Sequence, residues 1–212
     1  MKIRKNKPWT GKFIVLDGPD GCGKTTQLRR LGKYISSRGV EVVQTRDPGG
    51  TAVGDRIRRM LLDKRSGHIE PSCEVLLFMA SRAQLFHEVI LPAKKAQACI
   101  LCDRWIYSTC AYQGGGGQFS TERIMALAEA AQIGWPDAAV LIDLPAEAGL
   151  DRLDGPPDRM ETKPLAYHRR VRRHYRQLPA IRPEARLVDG RGDPERVQQR
   201  ILKVICEVIG SS

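Results

Sequence analysis

The sequence predicts an α/β protein built on one five-stranded parallel sheet with helices on both faces. Three observations carry that prediction. Short apolar runs alternate with longer stretches of helical character along the whole chain, the pattern of strands buried on both sides. The first apolar run ends in a glycine-rich turn that opens directly into a helical stretch. Gly18, Asp47, Asp103 and Asp143 then stand at the carboxyl ends of apolar runs, where sheets of this kind gather ligands.

The elements follow in order. "KFIVLD" (Lys12–Asp17) is the first strand, and Lys24 to about Ser37 is the first helix. "VEVVQTR" (Val40–Arg46) is the second strand, followed by a helix over about Ala52–Leu62. A long helix is expected from Ser72 to about Gln97, interrupted at Pro92, because proline has no N–H for the helical ladder. "ACILCD" (Ala98–Asp103) is the third strand, and a helix over about Thr121–Ile133 leads to the fourth, "AAVLID" (Ala138–Asp143). "ARLVD" (Ala185–Asp189) is the fifth, and a last helix runs from about Pro194 to Val208. Before it, "YHRRVRRHYRQL" spaces Tyr167, Val171, Tyr175 and Leu178 as a buried helix stripe. Arg169, Arg172, Arg173 and Arg176 then form the opposite, solvated face. The run Gly114–Gly117 reads as a flexible turn.

At 212 residues the chain suits a single domain, 1–212, with a sizeable core. Residues 1–11 read as a short basic tail, and the "FIVL" that follows is too short for a signal-peptide core. No apolar run approaches the ~18 residues that a membrane helix needs. These readings predict a cytoplasmic protein without a membrane partner. The net charge of +11 raises the question of nucleic acid. A positive field serves a nucleotide-binding protein equally well, and the densest basic run is already explained as a helix face, so nucleic acid is not expected. Six cysteines are scattered along the chain. Cys99 and Cys102 point to opposite faces of a strand and cannot share a metal. Buried free thiols in a reducing compartment are the expectation.

"GPDGCGKTT" runs from Gly18 through Pro19, Asp20, Gly21, Cys22, Gly23, Lys24 and Thr25 to Thr26. It fits G-x-x-x-x-G-K-[ST], in which backbone N–H groups cradle phosphates, the lysine reaches the terminal ones and the hydroxyl meets Mg²⁺. Asp20 is the anomaly, an acid inside an anion-binding ring. Its carboxylate is tolerated there only if it faces away and finds donors; the alternative is a carboxylate bonding the N–H groups of its own loop.

Three further stretches qualify the loop: "TRDPGGT" (Thr45–Thr51), "LLFMASRAQL" (Leu76–Leu85) and "CDRWIYSTCAYQGGG" (Cys102–Gly116). With the loop, they make the chain resemble the thymidylate kinase family from about Phe13 to the last helix. Members of that family are P-loop nucleoside monophosphate kinases that phosphorylate dTMP to dTDP with ATP. The resemblance implies a three-layer P-loop kinase fold with a short lid at 151–163, Mg²⁺ as cofactor, ATP and dTMP as partners, and a homodimer. Same-class and different-class alternatives are another nucleoside monophosphate kinase, and a basic P-loop ATPase that binds nucleic acid through Arg169–Arg176.

The resemblance also implies roles for particular residues. Asp20 accepts a hydrogen bond from the 3′-hydroxyl of the acceptor's sugar. Phe78 and Arg82, which share a helix face, stack on thymine and bond its edge. Asp103 acts on Mg²⁺ through water, with Thr25 as the other metal-site residue. Arg104 clamps the acceptor phosphate, with Arg58 near it. Ser108 and Thr109 lie on the acceptor side, Thr109 against the pyrimidine; Tyr112 lies under the sugar and Gln113 close to the base. Asp47 and Pro48 belong to the acceptor loop, although the family usually has Glu where Asp47 stands. Trp105 replaces the more usual Tyr or His. The lid is shorter than is common and offers Arg152, over the adenine, and Arg159, which would join Lys24 and Arg104 in neutralising the transferring phosphoryl group.

Overall fold

The structure, a computed structural model, describes residues 8–115 and 119–210. Most of the expected basic tail and part of the expected glycine turn lie outside the described residues. The strands are β1 (Phe13–Asp17), β2 (Val42–Arg46), β3 (Cys99–Asp103), β4 (Ala138–Asp143) and β5 (Ala185–Asp189). They pair in parallel in the order β2-β3-β1-β4-β5. Every residue of the central strand β1 is buried, as the strand of a sheet covered on both faces must be. Pairing sets Leu16 beside Asp103 and Asp17 beside Leu141. The carboxyl ends of β1, β3 and β4 therefore finish side by side.

On one face, α1 (Lys24–Ser36) and α9 (Pro194–Gly210) bury Leu31 and Ile201 against Ile14, Leu16 and Val140. On the other, α3 (Pro71–Leu85), α6 (Thr121–Ala130) and α8 (Leu165–Gln177) bury Val75, Ile124 and Val171 against Val15, Ile100 and Leu141. Cys99 and Cys102 fall into these two separate cores, as the two-residue period of a strand requires. Burial pushes the Cys99 thiol up to about 12. Cys73 and Cys206 are exposed, which corrects the expectation that the thiols are buried; both take outward positions on helices. The α8 stripe of Tyr167, Val171, Tyr175 and Leu178 is buried as its spacing predicts.

Helix α2 (Ala52–Leu62) starts at Thr51, whose hydroxyl accepts from the Gly54 N–H at 2.9 Å, an ordinary N-cap. The expected break at Pro92 does not occur. Helix α3 continues through a π turn (Phe86–Ile90) into α4 (Leu91–Lys95), and the wider turn just ahead of Pro92 takes up the irregularity that proline imposes. Taken as one helix, Pro71–Lys95 is apolar and long enough to cross a membrane by length and composition alone. This corrects the reading from uninterrupted runs, which the scattered polar side chains had broken. The helix packs one side against the domain, with Val75, Met79, Leu85 and Ile90 in the core.

Two short helices are not visible in the sequence pattern: α5 (Ile106–Thr109), which passes into a second π turn (Cys110–Gly115), and α7 (Ala146–Leu150). Both are shorter than hydrophobic periodicity can reveal. Helix α7 carries an unusual contact. A Cβ on Gly21 would lie 1.9 Å from the Gly149 carbonyl oxygen, and one on Gly149 would lie 2.3 Å from that of Asp20. The glycine-rich loop and α7 thus meet backbone against backbone.

Candidate active site

The site is organised by Asp17, the last residue of β1, which sequence reasoning passed over. Its fully buried carboxylate accepts from the N–H groups of Gly18 (2.8 Å), Trp105 (3.0 Å) and Ser108 (3.0 Å). It also accepts from the hydroxyls of Ser108 (2.7 Å) and Tyr175 (2.8 Å). One acid therefore ties the loop after β1 to the first turn of α5 and to α8. Capping α5 from a neighbouring strand is what allows so short a helix to start there.

In the loop between β1 and α1, Gly18, Gly21 and Gly23 have φ of 142°, 67° and 94°, values that L side chains resist. The Cys22 side chain turns down into the core beneath α1. Lys24 is 7% exposed and donates to the carbonyls of Gly18 (3.1 Å) and Pro19 (2.8 Å). Thr25 Oγ1 donates to Asp103 Oδ2 at 3.3 Å, and Asp103 Oδ1 is buried with no hydrogen-bond partner. A hydroxyl and a carboxylate with a free oxygen, set at the mouth of a phosphate-binding loop, fit Mg²⁺, which takes few protein ligands and keeps water and phosphate for the rest.

Asp20 faces out of the loop. Its carboxylate pairs with Arg104 and accepts from the Tyr112 hydroxyl at 2.6 Å. Burial alone would raise its pKa, but Arg104, then Lys24, then the Tyr112 hydroxyl hold it below the ordinary carboxylate value. Arg104 has φ of 68°, so its side chain turns back beneath the loop. There its guanidinium donates to the Gly18 carbonyl at 3.0 Å and to Ser108 Oγ at 3.0 Å.

A cavity of about 290 Å³ opens between this loop, α3 and α5, a size that suits one small ligand. Every sequence-predicted acceptor residue lines the cavity. Phe78 packs at its wall with Ile57 and Leu61. Arg82, fully buried, donates through Nε to Asp47 Oδ2 at 2.7 Å and through a terminal nitrogen to Thr109 Oγ1 at 2.9 Å. Asp47 thus faces Arg82 through Oδ2, and its Oδ1 is buried with no hydrogen-bond partner. Arg58 donates to the Pro48 carbonyl at 3.1 Å. Burial, then the charges of Arg46 and Arg104, push its pKa below the ordinary arginine value, the electrostatics of a place that attracts an anion. Arg46 also lines the cavity. Its position at the end of β2 was the signal available in the sequence.

The stretch expected as a lid, 151–163, is irregular and follows α7. Arg152 is exposed. Arg159 is not at the phosphate loop: it is half-buried, pairs with Glu74 of α3 and donates to the Leu61 carbonyl at 2.8 Å. The nearby lid residues Asp158, Met160 and Glu161 line the cavity instead. On the outer face of α8, Arg169 and Arg172 pair with Glu147 and Asp143.

A strand–loop–helix phosphate cradle, an oxygen pair for a divalent cation and a facing cavity rich in arginine define a P-loop phosphotransferase of the nucleotide kinase class. The thymidylate kinase family matches residues 16–201 of this chain. A thymidylate kinase of Pelobacter propionicus is 41% identical over 207 residues, covering 93% of this chain and 94% of that one. One from Deinococcus radiodurans is 43% identical over 188 residues, covering 87% and 91%. A crystal structure of thymidylate kinase from Ehrlichia chaffeensis superposes with a TM-score of 0.76 at 29% identity, covering 92% of this chain and 98% of that one. The chain belongs to the thymidylate kinase family.

Proposed function

We infer that this chain transfers the γ-phosphoryl group of ATP to the phosphate of dTMP, giving dTDP, with Mg²⁺ bound at Thr25 and Asp103. The observation that carries the reading is the shared cavity that holds Lys24 and Thr25 on one side and Phe78, Arg82, Thr109 and Gln113 on the other. When bound, Mg²⁺ neutralises charge gathering on the transferring group. The acceptor phosphate has a second pKa near ~6, so its attacking oxygen is already ionised at neutral pH and no general base is required. The work left to the protein is alignment and charge neutralisation. Lys24 and Arg104 serve as cations at the transferring group, and Arg58 and Arg46 hold the acceptor phosphate. Asp20 has lone pairs to spare beyond Arg104 and Tyr112 and receives the sugar 3′-hydroxyl, with Tyr112 crowding any 2′-hydroxyl. Arg152 lies over the adenine.

The exposed apolar side chains Val53, Met60 and Leu76 on α2 and α3 support a homodimer through that face, and the reading places the enzyme in the cytoplasm. Incubation of the pure protein with ATP, Mg²⁺ and each nucleoside monophosphate in turn tests the function. Turnover with dTMP is expected. ATP hydrolysis that requires DNA and ignores dTMP overturns the reading.

A further inference from the structure

Glu74 is a buried acid, 9% exposed, that has no place in the chemistry above. One of its oxygens pairs with Arg159 of the lid, and the other accepts from the side-chain nitrogen of Gln113 at 2.7 Å. Gln113 is 4% exposed and lines the cavity, and its amide oxygen is buried with no hydrogen-bond partner. A carboxylate has no hydrogen to give, so the amide can only present its nitrogen to Glu74. That choice fixes the rest of the group: an unpaired carbonyl oxygen is what Gln113 has left to offer a ligand.

We propose that Glu74, held by Arg159, is a positioning residue for base specificity, setting the Gln113 amide so that it accepts from a pyrimidine and cannot donate to one. This rests on the dTMP reading and deepens it. Thymine and uracil carry a hydrogen on N3, whereas cytosine has a bare acceptor there. An acceptor facing an acceptor leaves two buried groups unpaired, which is costly in a dry pocket. The discrimination depends on Glu74 having no hydrogen of its own. A neutral amide at position 74 could donate to the Gln113 oxygen, and the Gln113 group could then turn over and donate into the cavity. Arg159 completes the device. It occupies the second carboxylate oxygen, and its own backbone N–H reaches the Leu62 carbonyl at 3.2 Å. That backbone bond anchors the root of the lid to the end of α2. The base-reading amide and the lid anchor therefore share one carboxylate.

The test compares kcat/KM for dTMP, dUMP and dCMP in the wild-type enzyme and in Glu74→Gln, with ATP and Mg²⁺ saturating. Glu74→Gln should lower the dTMP-to-dCMP ratio by at least about tenfold, roughly one hydrogen bond's worth of preference. The dTMP-to-dUMP ratio should stay constant, because both bases carry the N3 hydrogen, and KM for ATP should not move. Arg159→Lys should keep the wild-type ratio and Arg159→Ala should lower it, which gives a second reading should Glu74→Gln not fold. A Glu74→Gln enzyme that loses activity on all acceptors equally overturns the proposal and makes Glu74 a structural residue. A wild-type enzyme that phosphorylates dTMP while Glu74→Gln discriminates unchanged overturns the proposal alone. A wild-type enzyme that turns over none of the three pyrimidines overturns the proposed function, and this inference with it.

Discussion

Two arginine–aspartate pairs in this molecule share an Nε–oxygen bond of one length in different surroundings. Arg82 meets Asp47 in the wall of the acceptor cavity, and Arg172 meets Asp143 on the outer side of α8, each through an Nε–oxygen bond of 2.7 Å. The first pair is sealed, with side chains 1% and 0% exposed, and the second is wet, at 28% and 21%. The length of that bond therefore says little about what either pair does. In the wall, loss of one partner strands a charge that water cannot reach. On α8, water and salt take the place of a lost partner. The same residue types thus build a rigid recognition wall in one place and a solvated surface in the other.

The comparison is broken most severely by Arg82→Ala. It should lower unfolding stability by about 3–5 kcal/mol, read from urea denaturation, and should raise KM for dTMP more than KM for ATP. A loss no larger than that of a surface variant would mean that the wall opens to water and that the two pairs are equivalent. Tyr112→Phe comes next. It removes a hydrogen bond to a buried carboxylate, a loss of about 1.5–3 kcal/mol, and should act mainly on acceptor KM in steady-state kinetics.

Asp20 sharpens the contrast through pH. Its folded-state pKa lies below the unfolded value, so its stabilisation is fully present above the unfolded value near ~4 and is lost as the pH falls through the folded one. Asp20→Asn should lack this acid limb. The gap in Tm between wild type and variant should shrink as the pH is lowered from neutrality into the acid range. The smallest effect belongs to Arg172→Ala, which should change stability by less than about 1 kcal/mol and leave kcat and both KM values alone. A large kinetic effect there would give the α8 face a functional role.

What the sequence revealed follows from distance along the chain. The phosphate loop was legible because its glycines, Lys24 and Thr25 act within one strand–turn–helix unit. The sheet was legible because buried parallel strands read as apolar runs. Phe78 and Arg82 were legible as one face of a helix from their spacing of four, and as a base-binding wall only through the family resemblance. Asp17 was not, although it sits directly before the loop. Its partners at positions 105, 108 and 175 reach it only through the packing of α5 and α8. The pairing of Arg159 was not legible, because its partner Glu74 lies 85 positions away. Asp47 was similarly assigned to the right cavity, while its pairing with Arg82, 35 positions on, came from the fold.

The contact of Gly21 with Gly149 has a mechanical consequence. Backbone seated on backbone leaves no side chain between the surfaces, so the phosphate loop and α7 cannot approach further. That helix ends at Leu150, one residue before the lid begins. At the far end, Arg159 is pinned to Leu61, Leu62 and Glu74. The segment 151–163 is thus held at both ends, beside the phosphate loop through α7 and at the wall of the acceptor cavity. Between the two ends lies the exposed stretch around Gly155, where φ is 89°. The segment therefore runs from a neighbour of the phosphate loop to the wall of the acceptor cavity with a tie at each end.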